Sequence, residues 1–152
     1  METPSNEAVL YNQIIEATRV DAGLTIKSVD IPDFKIVYAE GGTGDTIILL
    51  HGFGGNKDIW LSFAKLFTPN YRVIIPDLPG FGNADPRRDG DYTIYSYARF
   101  LDGVIGKLGI ERVHLVAHDF GGPFAAAWAA DHPRQVASVT FINTGVLLGY
   151  RW

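Results

Sequence analysis

The sequence has 152 residues, 47% of them hydrophobic and 20% charged, which is the size and composition of one soluble globular domain. A formal net charge of −4 without a basic cluster argues against nucleic acid or an anionic membrane as a partner, and the absence of cysteine excludes disulfides and thiolate metal sites. The N-terminus does not resemble a signal peptide, and no apolar run approaches the roughly 20 residues of a membrane-spanning helix. We therefore predict a cytoplasmic protein that binds neither membranes nor nucleic acid.

Predicted strands alternate with predicted helices along the chain. Apolar or alternating runs have the pattern of strands at residues 24–31, 34–39, 46–50, 71–76, 113–116 and 136–142. Apolar residues at helical spacing predict helices at about residues 5–20, 56–67, 94–108 and 123–130. Strands bounded by short turns and alternating with helices predict an α/β fold with a doubly wound, mostly parallel sheet.

The chain is predicted to divide into an N-terminal helical arm, residues 1–24, and a core domain, residues 25–152. Ser5 can cap the helix of the arm. Leu10 and Ile14 lie on one face of that helix, and we expect this face to pack against the body of the protein or against a second chain. The core domain opens with two strands separated by Pro32-Asp33, which are predicted to form an antiparallel hairpin.

Three loops follow predicted buried strands, and each carries glycines: HGFGG at 51–55, DLPGFG at 77–82 and HDFGG at 118–122. In a parallel sheet, ligands bind beyond the carboxyl ends of the strands, so these loops are expected to converge on the site. The third loop joins a strand directly to a helix, which is the geometry of a nucleophile elbow. Asp119 stands at its apex, with the small residues Ala117 and Gly121 two positions away on either side.

The order of these motifs resembles the N-terminal half of an α/β-hydrolase, over about residues 25–147. An aspartate at the elbow is similar to the epoxide hydrolase and haloalkane dehalogenase group. The resemblance implies that the Asp119 carboxylate attacks a saturated carbon of a small apolar substrate and forms an ester. Water activated by a histidine then hydrolyses that ester, and no cofactor or metal takes part.

The resemblance also implies roles for residues around Asp119. The backbone N–H groups of Phe53 and Phe120 would form the oxyanion hole, and their rings would contact the substrate. Gly54 stands where the family often has proline. The remaining motif residues are expected to be structural, and they are His51, Gly52, Gly54, His118 and Gly121.

The leaving group separates epoxide from haloalkane chemistry. Dehalogenases of this group commonly place a tryptophan after the nucleophile to bind the halide, whereas the side chains of Phe53 and Phe120 cannot donate a hydrogen bond. We therefore predict epoxide hydrolysis to a diol. The alternatives are a haloalkane dehalogenase-like hydrolase and a non-catalytic binding protein of the same fold.

A hydrolase of this kind also needs a histidine base and an acid that orients it. In this fold the histidine follows the last strand, and none of the four histidines here has that position. We predict that the sheet is incomplete and that a C-terminal segment or a second chain adds the base, the acid and a cap. The 152-residue chain alone is expected to be inactive.

Overall fold

The computed structural model describes residues 5–31 and 34–145. The helices are α1 (Asn6–Asp21), α2 (Leu61–Ala64), α3 (Ile94–Lys107) and α4 (Gly121–Asp131), and a 3-10 turn (Lys57–Trp60) precedes α2. The strands are β1 (Leu24–Ile31), β2 (Phe34–Gly41), β3 (Thr46–Leu50), β4 (Arg72–Pro76), β5 (Val113–His118) and β6 (Val136–Ile142). Among the described helices, none is long and apolar enough to cross a membrane.

The strands form one sheet of six, in the order β1-β2-β4-β3-β5-β6. The pairs β1–β2 and β2–β4 are antiparallel, and β4, β3, β5 and β6 run parallel to one another. The predicted mostly parallel α/β architecture and the N-terminal hairpin are confirmed. The predicted turn at Pro32-Asp33 lies outside the described residues.

Two apolar clusters cover the two faces of the sheet. Ile48 and Leu50 belong to the cluster beneath α3 and α4, whereas Ile47 and Leu49 belong to the cluster that includes Trp60. Successive side chains of a strand point to opposite faces, so a strand covered on both sides must be apolar throughout. This explains the unbroken apolar run of β3, all of which is buried.

The predicted helix over residues 56–67 is wrong in length and in its buried face. The structure has a 3-10 turn followed by the single short helix α2. The Asn56 side chain caps the 3-10 turn by accepting a hydrogen bond of 2.8 Å from the N–H of Asp58. Because a 3-10 turn advances by more degrees per residue than an α-helix, Ile59 points outward while Trp60 and Leu61 are buried.

Helix α1 has the predicted bounds and the predicted cap, but its Leu10 face does not pack against the body. Leu10 and Ile14 are 58% and 55% exposed. The body is contacted instead by Ile15, which packs against the cluster around Trp60. The pattern of apolar residues in α1 therefore did not identify the face that the tertiary structure covers.

Candidate active site

Asp119 occupies the short turn between β5 and α4. Its φ angle is +51°, in the left-handed region that non-glycine residues rarely adopt. Three hydrogen bonds hold this peptide: the Asp119 N–H donates to the Ile142 carbonyl at 3.2 Å, and the Asp119 carbonyl accepts from the Gly122 N–H at 3.0 Å and from the Thr144 hydroxyl at 2.5 Å. Such strain persists only where the surroundings enforce it, and it is common at functional sites.

Glycines let two other backbone segments approach this turn. A Cβ on Gly52 would lie 2.4 Å from the Cβ and Oδ1 of Asp119, and a Cβ on Gly121 would lie 2.8 Å from the carbonyl oxygen of His51. Real Cβ atoms do not approach other atoms so closely, so any larger residue would force the loops apart. Gly52 and Gly121 are thus required for the contact between the loop after β3 and the turn at Asp119.

The Asp119 carboxylate accepts a hydrogen bond from the backbone N–H of Phe53, with 3.0 Å between the nitrogen and Oδ1. The structure therefore brings together two of the three residues that the sequence places at the reacting centre. Gly54 follows with φ +71° and open space around its Cα, which lets the loop turn back after Phe53. The Phe120 N–H as a second oxyanion donor stays a prediction.

His51 is fully buried and hydrogen-bonded through both ring nitrogens. Its Nε2 accepts from the Leu78 N–H at 2.9 Å, so Nδ1 carries the proton and donates to the Gly52 carbonyl at 2.8 Å. Burial lowers the pKa of His51, which favours this neutral form. His51 thus joins the loop after β3 to the loop after β4, in the structural arrangement that the sequence suggests.

None of the four histidines contacts the Asp119 carboxylate in the described part of the chain. The ring of His118 lies edge-on to Trp60, with 6.4 Å between the ring centroids. His114 bonds Ser138 through Nδ1. His132 lies at the end of α4. A histidine base for Asp119 is therefore absent from the described residues.

An uncharged cavity of about 730 Å³ opens beside the loops that carry Phe53 and Phe120. Aromatic side chains dominate its wall, and the lining residues are Phe53, Leu78, Gly80, Phe81, Pro86, Tyr92, Thr93, Ile94, Tyr95, Tyr97, Phe120 and Phe124. The sequence singled out only Phe53 and Phe120 among them. The others come from the loop after β4, the start of α3 and the first turns of α4, which are adjacent only in the folded chain.

Three of the four hydroxyl groups of this wall, those of Tyr92, Thr93 and Tyr97, are hydrogen-bonded to the protein. Tyr97 donates to the Pro79 carbonyl at 3.0 Å and stacks on Phe124 at 4.2 Å between centroids, and burial raises the pKa of Tyr97 to about 12. The Tyr92 hydroxyl accepts a backbone N–H at 3.1 Å, and the Thr93 hydroxyl caps α3. The cavity thus offers a ligand mainly apolar surface. Within the described ranges, no three histidine or acidic side chains cluster closely enough to hold a metal ion.

The sequence analysis also missed the buried lysine that follows the HGFGG loop. Lys57 and Asp77 are 3% and 0% exposed, and Nζ of Lys57 lies 3.0 Å from Oδ2 of Asp77. Asp77 is visible in the sequence as a turn residue of the DLPGFG motif. Nothing in the local pattern marks Lys57, because lysines are normally exposed and this one is buried only through its distant partner.

Comparison with known proteins agrees with this architecture. A family model described as alpha/beta hydrolase fold matches residues 45–151. The crystal structure of a membrane phospholipase A superposes with a TM-score of 0.89 at 36% identity, covering 95% of this chain and 47% of that one. A putative epoxide hydrolase from Pseudomonas aeruginosa superposes with a TM-score of 0.73 at 29% identity, covering 78% of this chain and 41% of that one.

A fluoroacetate dehalogenase from Burkholderia sp. is 35% identical over 125 residues, which are 80% of this chain and 41% of the relative. The chain spans less than half the length of the curated relatives that it matches. These relatives include lipases and a 2-hydroxy-6-oxo-6-phenylhexa-2,4-dienoate hydrolase as well as the dehalogenase, so the shared feature is the fold and not one substrate. With its six-stranded sheet, its strained turn and the family match, the chain belongs to the α/β-hydrolase fold family.

Proposed function

We propose that this chain provides the nucleophilic half of a hydrolase that opens epoxides through an ester on Asp119. The observation that carries the proposal is the position of the Asp119 carboxylate, which lies on the strained turn with Oδ1 3.0 Å from the Phe53 N–H. In the first step, Oδ2 attacks an epoxide carbon, the carbon–oxygen bond of the ring breaks, and the ring oxygen takes up a proton from water or from an acid of the proposed cap. The product is an alkyl ester in which Oδ1 has become the carbonyl oxygen.

The Phe53 N–H serves the second step. Water adds to the ester carbonyl carbon, and negative charge develops on Oδ1, to which this donor already points. Collapse of the tetrahedral intermediate breaks the bond to Oδ2, releases the diol and restores the carboxylate. A donor placed before the reaction begins stabilises that charge without reorganisation.

Similarity to lipases does not imply ester cleavage by this chain, because Asp119 occupies the apex of the nucleophile elbow. Lipases and esterases of this fold use a serine at the elbow. A carboxylate that adds to an ester carbonyl would have to expel an alkoxide, which is far more basic than the carboxylate. The intermediate would therefore return to the starting ester. Displacement at a saturated carbon does not meet this obstacle.

The uncharged cavity favours a neutral, apolar electrophile. Among the described residues, no lysine, arginine or histidine lines it, so a substrate carboxylate would lose its hydration without gaining a partner there. Phe53 and Phe120 lack a side-chain donor for a departing halide, which favours an epoxide over a haloalkane. The aryl or alkyl substituent of an epoxide would pack against the aromatic side chains of the cavity wall.

We further propose that a C-terminal segment or a second chain completes the enzyme with the histidine base, the acid and a cap. Support comes from the Asp119 carboxylate, which no histidine contacts in the described residues. It also comes from β6, which is an edge strand of the described sheet and leaves Phe141 41% exposed. A cytoplasmic location stays a prediction.

Covalent trapping tests the proposal. Styrene oxide is incubated with the purified chain, and intact mass spectrometry and peptide mapping follow. We expect one adduct on Asp119, and we expect it to hydrolyse slowly because no histidine of the described residues contacts Asp119 to activate water. The Asp119→Asn variant should stay unlabelled, whereas Asp45→Asn, which removes an exposed carboxylate, should label like the wild type.

A second candidate, a non-catalytic binding protein, is favoured by the same lack of a histidine at the carboxylate. It predicts that 1-phenyl-1,2-ethanediol binds in the cavity while styrene oxide leaves no adduct on Asp119. Equal labelling of wild type and Asp119→Asn would likewise rule out the nucleophilic role. The presence or absence of an adduct on Asp119 in the mass spectrum therefore distinguishes the two candidates.

A further inference from the structure

A buried ion pair with no part in the chemistry above lies directly behind the loop that carries Phe53. Besides the contact between Nζ and Oδ2, the backbone N–H of Lys57 donates to Oδ1 of Asp77 at 2.7 Å. Nζ of Lys57 also donates to Oδ1 of Asn83 at 2.8 Å, and the Asn83 N–H donates to Oδ2 of Asp77 at 2.8 Å. Both charges thus have several polar partners away from solvent, and Oδ1 of Asp58 lies 3.8 Å from Nζ of Lys57 as a second carboxylate.

Stability alone is a poor explanation for such a pair. Removing two charges from water offsets most of their attraction, and apolar side chains of similar volume often serve the fold equally well. A buried pair does fix the relative position of the two segments that carry it, because each charge is satisfied only when its partner lies within hydrogen-bond distance. The question is therefore which part of the molecule this pair aligns.

The pair joins the loop at 51–57 to the loop at 77–83. At the start of the first loop, His51 accepts a hydrogen bond from the Leu78 N–H. At the end of the same loop, the backbone N–H of Lys57 donates a hydrogen bond to Asp77. Between these two anchors, Phe53 is 76% exposed and the loop touches Asp119 through the Phe53 N–H. The position of that donor is thus held by anchors at both ends of its loop, and between them the Phe53 ring contacts the rings of Phe81 and Phe120 at 5.7 and 6.0 Å between centroids.

We propose that Lys57 and Asp77 are positioning residues that hold the Phe53 N–H at the Asp119 carboxylate. This inference rests on the proposed function for its catalytic consequence, which is a faster hydrolysis of the Asp119 ester. Its structural consequence, an ordered Phe53 amide, does not depend on any reaction. The same pair also fixes the loop after β4, which supplies Leu78 and Phe81 to the cavity wall.

The test compares three forms of the whole chain. Lys57→Met leaves the Asp77 charge buried and unpaired, so this variant alone could fail to fold. The double variant Lys57→Met/Asp77→Leu removes both charges and keeps apolar volume, which keeps the core filled. Lys65→Met is the matched control, because Lys65 pairs with Asp21 on the surface at 2.6 Å and lies far along the chain from Asp119.

The first readout is the Phe53 amide in ¹H–¹⁵N NMR spectra. We expect the double variant to speed hydrogen exchange at Phe53 by about tenfold or more, while the amides of β3 and β4 keep their protection. The second readout is the lifetime of the styrene oxide ester on Asp119, which should lengthen by about tenfold because the oxyanion donor is displaced. Lys65→Met should change neither.

A folded double variant with an unchanged Phe53 amide would overturn the inference. Uniform loss of protection across β3, β4 and Phe53 would also count against it, because that result indicates general destabilisation. If no ester forms in any variant, the proposed function fails, yet the amide measurement still decides whether the pair positions the donor. The two failures are therefore distinguishable.

Discussion

The hydroxyl of Thr144 donates a hydrogen bond of 2.5 Å to the backbone carbonyl of Asp119, so the segment after β6 holds the strained turn from the far side. Asp119 and Thr144 are 25 positions apart, and they meet because β5 and β6 are parallel neighbours. The same carbonyl also accepts the N–H of Gly122. The backbone at Asp119 is thus held by the segment after β6 and by the first turn of α4, and the contribution of each contact can be measured.

Replacing Thr144 by valine keeps the shape of the side chain and removes the hydroxyl. We expect Thr144→Val to lower the free energy of unfolding by about 1 kcal/mol, the usual net contribution of one such hydrogen bond. Urea unfolding checks this value. Thr144→Ser retains the hydroxyl donor and should lower the free energy of unfolding by less. Equal decreases in the two variants would argue that the hydrogen bond does not contribute to stability.

Gly122 is predicted to be essential for the contact with Thr144. A Cβ at this position would lie 1.9 Å from Oγ1 and 2.7 Å from Cβ of Thr144, so the threonine would have to move. We expect Gly122→Ala to cost about 1–3 kcal/mol, as overpacking does in cores. The matched control is Gly106→Ala on the exposed side of α3, where nothing lies within 4 Å and a gain of about 0.5–1 kcal/mol is expected. A Gly122→Ala variant as stable as wild type would contradict the geometry.

His51 should make stability depend on pH below neutrality. Burial lowers its pKa in the folded protein, so the unfolded chain takes up a proton at the ordinary value near 6.5 while the folded chain does not. The unfolded state then binds more protons, and the free energy of unfolding falls as the pH drops below about 6.5, by up to about 1.4 kcal/mol per pH unit. Above that value His51 adds no pH dependence.

Urea unfolding at about pH 7.5 and about pH 5.5 measures this slope in a window where carboxyl groups with ordinary or lowered pKa values stay ionised. The His51→Gln variant is less stable at every pH, because it changes the contact with Leu78. The measurement compares how steeply the free energy of unfolding falls with pH, and this fall should be smaller in the variant than in the wild type. Parallel slopes in the two proteins would show that His51 is not the group responsible.

Under the proposed function, the residue after Asp119 is expected to control the choice of leaving group. Phe120 lies beside the cavity with its ring centroid 6.0 Å from that of Phe53, and neither ring can bind a halide by a hydrogen bond. Phe120→Trp adds an indole N–H at this position. We expect 1-bromobutane to alkylate Asp119 at least about tenfold faster in this variant, since a hydrogen bond to a charged group contributes roughly 1.5 kcal/mol or more.

Intact mass spectrometry over time gives the rate, and Phe120→Leu is the control without a donor. A wild-type protein that reacts with 1-bromobutane as fast as with styrene oxide would favour the dehalogenase alternative. In that case the halide donor would come from a residue other than Phe53 and Phe120.

Features that depend on neighbours along the chain could be predicted from the sequence. The apolar run of β3, the Ser5 cap of α1 and the strand–turn–helix around Asp119 each follow from a local pattern, and the structure has all three. The helix at 56–67 was predicted wrongly, and the Leu10 face of α1 does not pack against the body, so that its contact with a second chain stays a prediction. In both cases a periodic pattern identified apolar residues but not which of them the rest of the protein would cover.

The sequence by itself determined the class of fold and the residue at the apex of the turn, because hydrophobic periodicity and short motifs are local properties. Only the tertiary structure decided what surrounds that residue. Pairing of parallel strands brings two other segments to Asp119, namely Gly52 and Phe53 in the loop after β3 and Thr144 in the segment after β6, and it buries Lys57 against Asp77. Contacts between residues so distant along the chain depend on the packing of the whole sheet, which no local pattern records.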